Sequence, residues 1–534
     1  MSGNLLKSLA TVSGMTMASR VLGFVRQVLI AGVIGAGGNP VADAFWAAFR
    51  LPNMFRRLFA EGAFQAAFVP LFQGKLIQED KEAARRFAEE VMAALFFILA
   101  ALTAIVEIFA PLFVNLIATG FQEDPEKFAL TTLYLRIMFP YLACMSIVGL
   151  LSGVLNSLDK FAAYAGAPLI LNICQIVAIA VYADSEIHIT GEALSWATMV
   201  SGVLQLALLV WGAHRQGYLL KWRVPQMTDG VKRLLRLGTP GFISAGAIQI
   251  NIIIGTNIAS REPGAVSWLM NADQLYQLPL SVVGIALGAV LLPMLSRRVK
   301  EGDEKGAAHA LNRSIELSAF LTLPATAAFI VMASPICDAL FRGLATDALG
   351  VFGGRSSAFT LEDVSKTGAA LAFYSFGLPA FVWHKVFSPA FFAREDTKTP
   401  MNYALISIAI NIVVALALFP IPAFGFLAVA FATSLAAWVQ IVMLAGTLHR
   451  RGLFKPDPRL MSRFPRIVGA CLAMSAFLWF SLQHRETLAS ILFGRDWLAV
   501  VLISGLGAGV YAAASLGLGA IRISDYKAYA RPRP

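Results

Sequence analysis

Long apolar runs, separated by short polar or charged connections, fill this chain almost from end to end. A helix needs about 20 mainly apolar residues to cross a bilayer. On that measure the pattern predicts about fourteen spanning helices, near 8–35, 42–72, 88–118, 128–156, 165–183, 192–213, 237–259, 267–295, 310–334, 367–391, 402–420, 424–447, 466–482 and 497–518. Pro52, Pro140, Pro240, Pro279, Pro293, Pro324 and Pro379 fall inside or at the ends of these spans, where each removes a backbone donor and favours a kink.

The first two spans break their own pattern. Arg20 and Arg26 sit in one, and Arg50, Arg56 and Arg57 in the next, accompanied by the acids Asp43 and Glu61. An arginine at mid-bilayer costs about 2.5–3.5 kcal/mol, whereas each Leu, Ile, Phe or Val returns only about 0.3–0.6 kcal/mol. The second span cannot carry such charges in lipid, so they must line a wet cavity or meet anions. Guanidinium groups suit phosphate, which they can bind through two parallel hydrogen bonds. Asp43, Arg50, Arg57 and Glu61 fall near one stripe of an unbroken helix, although Pro52 interrupts the register. Arg56 is then an alternative to Arg57 for the cavity. If acids and bases merely neutralised one another, the arginines would still be in excess.

Composition agrees with a membrane protein. The chain is 57% hydrophobic and 14% charged, against about 25% charged in soluble domains, and its mean hydropathy is +0.69. Basic residues concentrate in alternate connections and at both ends (Lys75, Lys81, Arg85, Arg86, Arg215, Arg223, Arg297, Arg298, Arg450, Arg451). By the positive-inside rule both termini are expected in the cytoplasm. The net charge of +11 reflects this bias and, being scattered over short loops beside membrane ends, is poor evidence for nucleic-acid binding, so no nucleic-acid partner is expected. Arg20 and Arg26 interrupt the first apolar stretch, so it is expected to stay as a helix and not to be cleaved. The four cysteines are widely spaced and read as packing residues. No histidine pattern suits a metal, no nucleophile motif occurs, and GxxxxGK[ST] is absent. The expectation is a transporter without covalent chemistry or cofactor, using no ATP and driven by an ion gradient, the membrane potential or its substrate's own gradient.

The chain also repeats itself. Ala197-Thr198, Gln205 and His214-Arg215-Gln216-Gly217 reappear, equally spaced, as Ala432-Thr433, Gln440 and His449-Arg450-Arg451-Gly452. Ala42-Asp43, Leu51-Pro52 and Val69-Pro70-Leu71 parallel Ala272-Asp273, Leu278-Pro279 and Leu292-Pro293-Met294. The expected architecture is an all-α polytopic membrane protein with two six-helix lobes, 1–225 and 226–455, related by a pseudo-two-fold axis along the membrane normal. Residues 456–534 add two further helices and a tail.

Ser19-Arg20-Val21-Leu22-Gly23-Phe24-Val25-Arg26, Asp43-Ala44-Phe45, Arg50-Leu51-Pro52-Asn53 and Arg56-Arg57-Leu58-Phe59-Ala60-Glu61-Gly62 together resemble the MurJ/MviN lipid II flippases of the MOP exporter superfamily. Ser267-Trp268 with Ala272-Asp273, and Gly284-Ile285-Ala286-Leu287-Gly288, extend the resemblance over the whole chain. It implies a bacterial inner-membrane protein that moves the undecaprenyl-pyrophosphate-linked disaccharide-pentapeptide to the outer leaflet by alternating access, with the cell-wall synthesis machinery as an expected partner. It implies substrate contacts at Arg20, Arg26, Asp43, Arg50, Arg56 and Asp273, with Glu61 and Gln274 beside them, and a lipid-tail groove in 466–518. The family pattern has arginine where this chain has Gln274, so Arg26 and Arg56 are expected to carry more of the pyrophosphate contact. Rival readings are another MOP carrier, either a lipid-linked oligosaccharide flippase or an ion-coupled drug exporter. The arginine excess disfavours cationic cargo.

Overall fold

Residues 2–59 and 63–520 are described by the computed structural model; Glu61 and the tail beyond residue 520 lie outside them. Among the described residues there is no strand. The helices run α1 Ser2–Ile34, α2 Pro40–Phe59, α3 Ala63–Gln78, α4 Lys81–Ile108, α5 Ala110–Ile117, α6 Pro125–Met138, α7 Tyr141–Ser157, α8 Ala162–Tyr182, α9 Ile187–Arg215 and α10 Asp229–Ala259. There follow α11 Ala265–Lys300, α12 Glu304–Val331, α13 Ala333–Cys337, a π turn Asp338–Leu344, α14 Ala345–Val351, α15 Leu361–Phe392, α16 Lys398–Leu418, α17 Leu427–Arg450, α18 Pro458–Leu482, α19 Arg485–Ile491 and α20 Asp496–Gly517. Among the described residues, ten helices are long and apolar enough to cross a membrane. The described residues of the predicted span 42–72 lie in α2 and α3, and Asp43, Arg50, Arg56 and Arg57 dilute the apolar content of α2.

Proline sets several breaks that periodicity alone did not resolve. The predicted span 128–156 is two helices, with Pro140 as the cap residue of α7. The span 88–118 divides at Phe109, and Pro111 stands in the first turn of α5, where its missing N–H costs nothing. Between α1 and α2 one side chain serves both ends. Asn39 Oδ1 accepts from Val41 N at 3.0 Å, and Asn39 Nδ2 donates to Ile34 O at 2.8 Å. Gly35, at φ +67°, supplies the left-handed residue that terminates α1.

The chain forms two compact units. Unit 1 comprises residues 1–267 and 345–360; unit 2 comprises 268–344 and 361–534. In unit 1, α2 is buried on every side from Val41 to Phe49, with Phe45 and Trp46 in edge-to-face contact. A helix so enclosed has no lipid-facing surface in its first half, which is why it tolerates a charge there. Phe68 stacks on Phe64, Phe72 and Phe87, joining α3 to α4. The loop after α9 is held to α4 by Glu89, which accepts from Lys221 N at 2.8 Å and Arg223 Nε at 2.6 Å.

In unit 2, Tyr276 of α11 stacks on Tyr374 and Phe381 of α15. Trp268 donates to Asp363 at 2.7 Å, and Lys366 lies over its ring. α18 is joined to α12 by charge: Glu316 accepts from Arg463 at 2.5 Å, from Arg459 at 3.3 Å and from Arg313, which also reaches Asp457. Asp457 caps α18 through Leu460 N at 2.7 Å.

Two loop carboxylates of unit 2 give a pH prediction. Burial pushes Asp457 up, but the Leu460 N–H, Arg313 and His309 outweigh it and hold the group below its usual value. Asp396 behaves likewise: burial raises it, while Arg451 and Thr399 lower it further. A depressed carboxyl contributes stability above its unfolded value of about 3.9 and loses it as pH falls through the folded value. The thermal midpoint in detergent should therefore fall below about pH 4. The Asp396→Asn/Asp457→Asn variant should show a shallower acid limb; an unchanged limb would refute the assignment.

Candidate functional site

The arginine cluster is built on α1 and α2 of unit 1. On α2, Asn53 and Arg56 stand three residues apart on one face. Asn53 Oδ1 accepts from Arg56 Nε at 3.2 Å and from Nη2 at 3.0 Å. The amide thus orients the guanidinium through two of its nitrogens. Arg26 of α1 has Tyr141 and Arg56 as electrostatic neighbours. Its Nε is buried without a hydrogen-bond partner among the described residues. Two guanidinium groups in one neighbourhood repel each other, and a buried unsatisfied donor costs about 1–3 kcal/mol. An anion with several acceptor oxygens relieves both.

Arg20 is half-buried and, among the described residues, forms no ion pair. Beside it, Asn172 Nδ2 donates to Ser19 O at 2.9 Å, fixing α8 to α1 one residue before the arginine. Arg50 is half-buried and Arg57 exposed. Of the two adjacent arginines it is therefore Arg56, held by Asn53, that stands with Arg26.

Asp43 does something else. It is fully buried, and its carboxylate receives Lys127 Nζ at 3.4 Å, Gly264 N at 2.7 Å, Ser267 N at 3.0 Å and Ser267 Oγ at 2.8 Å. No arginine among the described residues reaches it. The backbone donors belong to the start of α11, where unpaired N–H groups and the helix dipole favour a carboxylate. The stripe read from sequence grouped Asp43 with Arg50 and Arg57, but the acid is committed to a lysine on α6. The positive excess on α1 and α2 is correspondingly larger than counting charges implied. Close packing continues at Gly120, where an added Cβ would lie 2.3 Å from Ser260 O. Thr119 Oγ1 donates to Asn257 at 3.1 Å beside it.

In unit 2, Asp273 receives Gln277 Nε2 one turn along α11, and Gln274 is half-buried. Lys385 is exposed within α15 without an ion pair among the described residues, its stem 3.6 Å from where a Cβ on Gly284 would stand. Neighbouring His384 is within 3.2 Å of Ser388. Among the described residues no group of His, Cys, Asp and Glu could hold a metal ion. Sequence reasoning missed Asn53, Lys127 and Ser267 as functional partners. Asn53 left a signal in its three-residue spacing to Arg56, and Ser267 stood in the stretch that carries the family resemblance; Lys127 left none.

The family model described as lipid II flippase MurJ matches residues 30–493. A probable lipid II flippase MurJ of Rhizobium meliloti (strain 1021) is 45% identical over 532 residues, covering 99% of this chain and 94% of that protein. The lipid II flippase MurJ of Burkholderia cenocepacia is 34% identical, covering 91% and 92%. Among solved structures, a lipid II flippase MurJ in an inward closed conformation superposes with a TM-score of 0.75 at 24% identity, covering 94% of this chain and 98% of that one. An inward-facing multidrug resistance MATE transporter of the MOP superfamily gives 0.66 at 15% identity, covering 83% and 98%. Those two likenesses establish the fold, and the sequence matches establish the relationship. By the extent of the family match and the identity to its relatives, the chain belongs to the lipid II flippase MurJ family.

Proposed function

We propose that this protein translocates lipid II from the inner to the outer leaflet of the bacterial cytoplasmic membrane by alternating access, with both termini in the cytoplasm. The observation that carries the reading is Arg26, half-buried, with its Nε buried and without a partner among the described residues, beside the Asn53-braced Arg56, in a member of this family. The pyrophosphate is held by Arg20, Arg26 and Arg56, with Arg50 nearby. Charge-assisted hydrogen bonds to its oxygens replace those the anion loses on leaving water. Asp273 and Gln274 also contact substrate in this reading. Asp43 acts at a distance from the phosphate, by holding the start of α11 against α2 and α6. No bond is made or broken. Work comes from an ion gradient, the membrane potential or the precursor's own gradient, and proteins of cell-wall synthesis consume the product.

The test is a leaflet-specific assay. Vesicles reconstituted with the purified protein should expose lipid-linked precursor to an external probe, whereas protein-free vesicles should not. Equal exposure in both would refute flipping. A cationic-drug exporter is the second reading, on the likeness of fold to a MATE transporter. The arginine site disfavours it, and drug efflux without precursor movement would establish it.

A further inference from the structure

Residues 345–360 pack within unit 1, although the chain on both sides of them belongs to unit 2. They lie against the C-terminal end of α1, the helix that carries Arg20 and Arg26. Because α1 stops at Ile34, the carbonyl of Gly32 is one of the last four without a helical donor. Ala358 N–H supplies that donor at 2.7 Å.

Glycine permits the approach at three points. A Cβ on Gly32 would stand 2.7 Å from Ala345 Cβ, and one on Gly35 would stand 2.8 Å from Ala358 O. A Cβ on Gly354 would stand 2.8 Å from Ala183 Cβ, at the turn after α8. Ala345, Leu349 and Phe359 are buried by the contact. The Arg355–Asp184 pair at 3.1 Å is exposed on both sides and adds little.

The segment has little slack. It follows directly on the π turn Asp338–Leu344, an irregular element often found where helices must change course, and leads straight into α15 at Leu361. A helix that swings during transport cannot keep this contact unless α13 and α15 swing with it. We infer that residues 345–360 are a latch on α1: seated on Gly32 and Gly35 in the state described here, and released in each transport cycle. The inference rests on the alternating-access reading. Three buried apolar side chains and one backbone hydrogen bond make a contact of the size that two-state equilibria turn on.

A disulfide tests it. A Cβ on Gly38 would lie 3.7 Å from Thr360 Cγ2, so a cysteine sulfur standing where that methyl stands is within reach of a cysteine at 38 after a small side-chain adjustment. Full-length Gly38→Cys/Thr360→Cys protein in vesicles should flip fluorescent lipid-linked precursor about tenfold more slowly after oxidation, because one state is then held. Reduction should restore the rate, and neither single variant should respond. Wild-type flipping with the bond demonstrably formed would overturn the latch while leaving the flippase reading intact. Failure of the bond to form under oxidation would overturn it equally. A measurement independent of flipping uses Ala358→Cys. Its maleimide labelling should rise about tenfold when Gly32→Val is added, since that side chain unseats the segment and shifts the population. Unchanged labelling would count against the latch even if flipping were absent altogether.

Discussion

Arg26→Ala should abolish complementation of a strain depleted of its own flippase, at normal protein levels, and should weaken binding of the pyrophosphate-linked precursor by about 100-fold. The magnitude follows from what is lost. A hydrogen bond to a charged group contributes about 1.5–3 kcal/mol, and a guanidinium can make two to a diphosphate. Arg26→Lys should recover only part of the loss, because an ammonium keeps the charge but cannot present a planar fork. Stability should move the other way. The Arg26 Nε is buried without a partner among the described residues, and the guanidinium is repelled by Arg56, so alanine relieves a cost in the unliganded protein. Loss of binding with an unchanged or higher thermal midpoint is the signature of a ligand site. Loss of binding accompanied by unfolding would assign Arg26 to packing instead, and full growth of the alanine strain would remove it from the site.

Asp43→Ala should have the largest effect on folding. It strips the counter-charge from Lys127, which is 6% exposed, and leaves Gly264 N, Ser267 N and Ser267 Oγ without their acceptor. Removing one member of a buried ion pair costs about 3–5 kcal/mol, a large part of the roughly 5–15 kcal/mol that stabilises a typical domain. Little folded Asp43→Ala protein should reach the membrane, and what does should melt well below wild type. Replacing both partners is much milder when the space stays filled, so Asp43→Asn/Lys127→Met should regain most of the midpoint. The double variant then separates two roles. Recovered flipping means the pair is a fastening; recovered stability without flipping means the carboxylate itself is needed for the conformational cycle. A stable single alanine variant would show that the network contributes nothing.

Much of the fold was legible because membrane helices advertise themselves. Each must satisfy its backbone internally and present apolar side chains to lipid, so composition over about 20 residues suffices to find it. The exceptions follow from the same physics. α2 is enclosed by neighbours from Val41 to Phe49, so its sequence was never constrained to be apolar. Breaks at Phe109 and Pro140 were less legible, because proline in a membrane helix can kink or terminate it, and the choice depends on what surrounds the orphaned carbonyl.

The candidate site divides the same way. By itself the sequence determined that α1 and α2 hold more buried positive charge than lipid allows, that an anion is the natural answer, and that the chain resembles lipid II flippases; those are properties of residue type and local spacing. Only the tertiary structure decided which charges stand together. Asp43, assigned by helical spacing to the arginines, went to Lys127 on α6 and to the backbone at Gly264 and Ser267, partners far away in the chain. Arg56 was separated from Arg57 by Asn53, and residues 345–360 were carried to the end of α1. A periodic pattern fixes the face of a helix on which a side chain lies, but its partner is chosen by whichever distant element packs there, and in a low-dielectric interior that choice sets the electrostatics.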